Sequence, residues 1–365
     1  MRTWLAAIAS VLAACGGSGG GRGAGDAAGA RDGASVDTAS GGDAARDAGS
    51  GSAAPIPTYP DSPTQTLTAP AGADPSGGWG IISALSADGL TLATFDRTHL
   101  YIYDRASGSA AFDASPTQTV TVPSVFDVGT GLTLTSDGSL LAVGGIANNT
   151  GALELLVFAR DAAGSGFAAT PQAIAAVSSY SEVGVAALTP GGDELATEGS
   201  GDDIIVLSRT AGSAFAPAPS QTIAPPAGAS DFFPALASFA GDGTLAVSDL
   251  GGGSGIGAID VYSPAAAGSS TLDATPIAIV APAGMHAFAD GVALRADGAE
   301  LVESSNSPGH ALIFANHAGS WVAGQMIAPP TGANSSFGVS VTVAGDGTLA
   351  VDDGGDIYIY EPTGR

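Results

Sequence analysis

The chain has 365 residues and a formal net charge of −25, from 35 Asp and Glu against 10 Lys and Arg, none of them Lys. That excess of acid repels phosphate backbones and sets the chain against nucleic acid as a partner. With 55 Gly, 22 Pro and 6% aromatic residues, the composition suits short strands joined by tight turns and excludes a bundle of long helices.

The N-terminus reads as an export signal. Arg2 supplies the positive end, and Trp4 to Leu12 supplies an apolar stretch too short to span a bilayer. It ends at Leu12-Ala13-Ala14-Cys15, which resembles the lipobox of bacterial lipoproteins. That resemblance implies cleavage after residue 14 and lipid, including palmitate, on Cys15. With Gly16 in place of Asp after the cysteine, it also implies sorting to the cell outer membrane. Cys15 is the one cysteine, so no disulfide forms within the chain. Residues 15–54 are almost only Gly, Ala, Ser, Asp and Arg and bury nothing, so a disordered tether is expected. About 40 such residues reach about 35 Å.

From residue 55 to 365 the chain is a repeat of about fifty residues in six copies. Each copy begins with a Gln-led strand: QTLTAP (65–70), QTVTVP (118–123), QAIAAV (172–177), QTIAPP (221–226), IAIVAP (277–282, Ile for Gln) and QMIAPP (325–330). An aromatic or Val then precedes a small residue or Pro, as in Trp79-Gly80, Phe288-Ala289 and Phe337-Gly338. A hairpin signal follows, Asp-Gly at 88, 137, 242, 297 and 346 and Gly-Gly at 191. Next comes a Leu (92, 141, 195, 245, 301, 349), and an apolar strand closes the unit, as in LYIY (100–103) and IYIY (357–360). Four short strands repeated at this period predict an all-β fold: a six-bladed β-propeller of four-stranded antiparallel blades.

SFGVSVTVAGDGTLAVDDGGDIYIYEPTGR (336–365) and SALSADGLTLAT (83–94) resemble FG-GAP repeats, the blades of integrin α-chain propellers. The recurring Gly-His and Trp-Asp signatures of WD-type propellers are missing, and lactonase-like propellers remain a rival. The resemblance implies that the strand beginning Phe-Gly is innermost. The Gln-led strand is then the outermost strand of the preceding blade. The strand at 65–70 therefore pairs beside IYIY in the last blade and closes the ring.

The resemblance also brings calcium to mind, but its D-x-D-x-D-G loop keeps a single Asp here, as in Ser86-Ala87-Asp88-Gly89. One carboxylate cannot supply six to eight oxygen ligands. The turn aspartates read as turn formers, and no metal or other cofactor is expected. Asp352-Asp353-Gly354-Gly355-Asp356 and Asp202-Asp203 are denser but lie in another loop. No two His stand at zinc-ligand spacing, and Gly-x-Ser-x-Gly and His-Glu-x-x-His are missing. Glu182, Glu194, Glu198, Glu300 and Glu303 read as solvated surface.

Strand parity places one set of loops on a shared face, and the candidate binding residues there are Asp74, Trp79, Asp96, His99, Tyr180, Asp231, His286 and His310. Trp79 and Phe337 also occupy the aromatic position of the repeat, where packing is the plainer role. The reading is a monomeric, membrane-anchored module that binds protein or glycan at the cell envelope. The alternative is a lactonase- or lyase-like enzyme with its site at the mouth of the central channel.

Overall fold

The computed structural model describes residues 57–363 apart from 74–77, 97, 124–125, 148–152, 161–165, 176–185, 200–201, 230–233 and 251–255; of 126–130, 146–147, 153–154 and 173–175 it describes the backbone. β1 (Gln65–Thr68) comes first and joins the last blade. Blade 1 is β2 (Ser83–Leu85), β3 (Thr91–Phe95), β4 (His99–Asp104) and β5 (Gln118–Thr121). Blade 2 is β6 (Phe126–Leu134), β7 (Leu140–Ala147), β8 (Leu153–Ala159) and β9 (Gln172–Ala175). Blade 3 is β10 (Ala187–Leu188), β11 (Glu194–Glu198), β12 (Ile204–Ser208) and β13 (Gln221–Ile223). Blade 4 is β14 (Ala237–Phe239), β15 (Leu245–Asp249), β16 (Ala258–Tyr262) and β17 (Ile277–Val280). Blade 5 is β18 (Gly291–Leu294), β19 (Glu300–Asn306), β20 (Gly309–His317) and β21 (Ser320–Ile327). Blade 6 is β22 (Ser340–Val343), β23 (Leu349–Asp352) and β24 (Asp356–Tyr360), completed by β1.

All six sheets are four-stranded and antiparallel, and the innermost strands touch in the cycle β2, β6, β10, β14, β18, β22 and back to β2. This is a closed six-bladed propeller. The closure runs as expected, with Gln65 opposite Ile359 and Thr68 opposite Asp356. It also begins earlier than the expected strand: Thr58 bridges Thr363, and Tyr59 is buried at 4% exposure. Every strand of the ring and its closure thus lie within residues 57–363.

The repeated Leu explains the period. Leu92, Leu141, Leu195, Leu245, Leu301 and Leu349 are all at 0% exposure. Each stands opposite the large apolar residue of the closing strand: Tyr103, Phe158, Leu207, Tyr262, Phe314 and Tyr360. Burying each such side chain contributes about 2–3 kcal/mol. The middle strands are covered on both faces by neighbouring blades, so β3, β15 and β16 are buried along their whole length. Outer strands bury one residue in the middle, Leu67 in β1 and Val120 in β5.

Turn chemistry accounts for Asp-Gly. The carboxylate accepts the backbone N–H two residues on, Leu90 to Asp88 at 2.9 Å and Thr348 to Asp346 at 2.8 Å, while Gly89 and Gly347 hold φ of +72° and +85°, which glycine adopts without strain. The Asp residues are therefore turn formers.

Two further devices join blade to blade. The first explains the leading Gln. Gln118 grips the backbone of Phe167 in the next blade, donating to its carbonyl at 2.8 Å and accepting its N–H at 2.7 Å. Gln65 holds Phe112, Gln221 holds Leu272 and Gln325 holds Tyr59 in the same way. The second is an Arg just after the closing strand. Arg105 and Arg160 lie 4.7 Å over Phe112 and Phe167 and donate Nε to the turn carbonyls of Gly89 and Gly138. Their remaining N–H groups reach the preceding blade: Arg105 to Glu361 and Thr348, Arg160 to Asp104 and Thr91. With Arg105 buried and Arg160 half-buried, these cations tie neighbouring blades together.

Candidate functional site

The central channel is a cavity of about 90 Å³ walled by the innermost strands. Its described lining is largely apolar, relieved by hydroxyls such as Ser83, Thr133, Ser238, Ser340 and Thr342, and carries no Asp, Glu, His or Arg. The hydroxyls follow a rule. At the position facing the second strand's Ala or Val, successive blades carry Ala84, Thr133, Ala187, Ser238, Ala293 and Thr342. Each hydroxyl accepts an N–H from an adjacent Ala-bearing blade: Leu188 to Thr133 (3.3 Å), Leu294 to Ser238 (2.9 Å) and Leu85 to Thr342 (3.1 Å). The six-fold ring is thus three pairs of blades. At the upper rim Ser83 Oγ donates to Asp352 Oδ1 across the join of blades 1 and 6 at 3.0 Å. Asp352 is at 0% exposure, and burial pushes its carboxyl well above the usual range, with Ser83 and Ser340 pulling the other way.

The candidate face does not gather into one site. Trp79 is buried at 3% in the cluster with Leu85, Leu92 and Tyr103, a packing anchor and not a contact residue. Asp96, at 1% exposure, accepts the N–H groups of Thr98 (3.1 Å) and His99 (2.9 Å) and the hydroxyl of Tyr101 (2.5 Å). Asp353 does the same in blade 6, accepting from Gly355 (3.0 Å), Asp356 (2.7 Å) and the Tyr358 hydroxyl (2.8 Å). Both carboxylates build the turn between second and third strands. His99 is partly exposed beside Asp96, and His286 is exposed. Asp74, Tyr180 and Asp231 lie outside the described residues, as do Cys15 and Glu182. Among the described residues, no three His, Cys, Asp or Glu side chains are grouped to hold a metal ion.

His310 is buried at 3%, so it is not a surface contact. Its Nδ1 is 2.8 Å from the Pro308 carbonyl and its Nε2 is 3.2 Å from Glu303 Oε2. Burial alone would lower the imidazole's pKa; Glu303 and the Pro308 carbonyl outweigh it and raise it. Nearby, Asp290 accepts from Ser305 and Asn306, both at 2.9 Å. Glu300 and Glu303 are also at 0% exposure, which corrects the expectation that they are solvated. They face opposite sides of β19 and form no catalytic pair, since Glu303 stands opposite Leu312 and Glu300 opposite Ala315.

Sequence reasoning missed one acidic pair. Asp249 and Asp260 are both buried on blade 4, and burial together with Asp249 pushes the Asp260 carboxyl up to about 6. An acid inside the apolar strand Ala258–Tyr262 was the available signal.

No protein-family model matches the chain, and no curated protein does. Among solved structures it is similar to the β-propeller domain of Cps50 (Swd1) from Myceliophteria thermophila, at 12% identity over 84% of this chain and 100% of that one, with a TM-score of 0.48. A candidate 6-phosphogluconolactonase from Bacteroides uniformis matches at 14% identity over 74% of this chain and 77% of that one, with a TM-score of 0.49. Likenesses this distant say nothing about activity.

Proposed function

We propose that this chain is a bacterial lipoprotein, held at the outer membrane by lipidated Cys15, whose FG-GAP-like propeller binds a protein or glycan at the cell envelope. The observation that carries the binding role is the channel, whose described lining is aliphatic and hydroxylic with no titratable group. A lactonase- or lyase-like reaction at its mouth needs convergent carboxylates, His or Arg. Two acids beside the innermost strands of blades 1 and 6 are committed elsewhere, Asp352 to Ser83 and Asp353 to its own turn. Two experiments test the two halves of this reading. Palmitate labelling should mark the wild type and spare Cys15→Ser; equal labelling refutes the anchor. A glycan array and an envelope pull-down with residues 55–365 should return a saturable ligand. Turnover of lactones or uronic polymers by the same domain would replace binding with catalysis.

A further inference from the structure

Blades 1 and 6 build the turn between second and third strands with the same pair of side chains. Asp96 and Asp353, each four residues past the repeated Leu, accept the hydroxyls of Tyr101 and Tyr358, each two residues before the closing Tyr. The register is shared, with Thr94 opposite Tyr101 and Val351 opposite Tyr358. Blades 2, 3 and 5 carry neither partner. Gly145, Gly199 and Ser305 stand in place of the Asp, and Leu156, Ile205 and Leu312 in place of the Tyr.

Blade 4 alone keeps the acceptor and loses the donor. Asp249 takes the place of Asp96, and Asp260, opposite Val247, takes the place of Tyr101. Asp249 stands opposite Ala258, so the two acids project from one face of β15 and β16, one step apart in the pleat. Both are buried, Asp249 at 2% and Asp260 at 4% exposure. The charge of Asp249 acts on Asp260, and among the described residues no hydrogen-bond donor and no positive charge meets the Asp260 carboxyl. On this face Leu245 and Val247 pack with Ile204 and Val206 of blade 3. Glu198, opposite Ile204 at the end of β11, turns toward the same join.

A buried carboxylate without a partner is costly, and a second one beside it adds repulsion. Burial and Asp249 raise the Asp260 carboxyl only to about 6, so a proton does not stay there at neutral pH. A cation meets both acids at once, and a chain of net charge −25 concentrates cations around itself. Asp in place of Tyr also removes the volume of a phenol ring.

We propose that Asp249 and Asp260 bind a hard divalent cation of the Mg²⁺ or Mn²⁺ class, both carboxylates ligating it and water completing its shell. One or two carboxylates with several waters is how such ions are commonly held. The site lies apart from the Asp-Gly turns, and it rests neither on the lipid anchor nor on any envelope ligand.

Mn²⁺ is the probe, titrated at neutral pH into residues 55–365, which contain every strand of the ring. With about 0.15 M salt to screen diffuse surface charge, electron paramagnetic resonance of the free ion should report one site with a Kd on the order of 10⁻⁴ M. Mn²⁺ should also raise the melting temperature. Asp260→Tyr rebuilds the pairing of blades 1 and 6, and Asp260→Asn keeps the side chain's size. Each should weaken Mn²⁺ binding at least about tenfold. Without Mn²⁺ each should melt no lower than the wild type, since a buried like charge is gone. Asp113→Asn, at an exposed acid elsewhere, should leave binding unchanged. A wild type that binds no Mn²⁺ overturns the proposal. So does equal binding by Asp260→Tyr and Asp260→Asn, because the metal would then sit on other acids.

Discussion

Blade 5 has two flanks built from the same repeat, and they differ in how they are fastened. Toward blade 6, Tyr59 is seated at 4% exposure, its backbone held by Gln325 and its hydroxyl donating to Glu300 (3.0 Å) and the Gly347 carbonyl (2.9 Å). Toward blade 4, Trp321 fills the corresponding place but stays half-exposed, and Ile277 stands where the gripping Gln would be. The connections differ as well. In blades 1 and 2 the Gln amide holds the backbone of the aromatic. In blade 5 the chain makes a tight hairpin that sets Trp321 opposite Asn316. A side chain that looks like a mere repeat marker is a fastener, and its loss opens an apolar flank.

The largest expected effect comes from the tight side. Removing residues 57–68 takes away Tyr59 and β1 together and leaves β24 as an open edge. Circular dichroism should show loss of the cooperative transition or a fall of more than about 10 °C in melting temperature, given the scale of several kcal/mol involved. A truncated ring that melts like the intact one would break the comparison.

Next in size is Glu300, which Tyr59 and Arg295 contact. Burial pushes its carboxyl up to about 7 from 4.5, with Arg295 and Tyr59 pulling it down. The folded state thus holds its proton more tightly than the unfolded chain. Stability should fall as pH rises between these values and level off above, by up to about 3 kcal/mol. Denaturant titrations at several pH values should show that slope, and Glu300→Gln should flatten it.

The smallest effects set hook against missing hook. Gln118→Ala removes two hydrogen bonds to Phe167 and should cost about 2 kcal/mol. Ile277→Gln, at an exposed position, should change stability by less than about 0.5 kcal/mol. If the two substitutions cost the same, the Gln is not a fastener.

Much of this was legible in the chain. The Leu and Asp-Gly spacing announced the blades because each acts within its own hairpin: Asp88 turns the chain beside itself, and Leu92 meets Tyr103 eleven residues on in the adjacent strand. The order of parts announced the closure by β1. The candidate face was read less well. Trp79, ahead of β2, and His310, at the start of β20, stand where a sequence reader expects surface, yet both are buried. The alternation Ala84, Thr133, Ala187, Ser238, Ala293, Thr342 was visible but had no meaning until the channel showed which N–H each hydroxyl meets.

By itself, then, the sequence determined what depends on local contacts: strand, turn, repeat and ring. The tertiary structure decided which side chains work between blades. Gln118 and Phe167, Arg105 and Glu361, and Ser83 and Asp352 lie 49, 256 and 269 residues apart along the chain. No periodicity within a single repeat specifies such partners, because their meeting is set by how the blades stack.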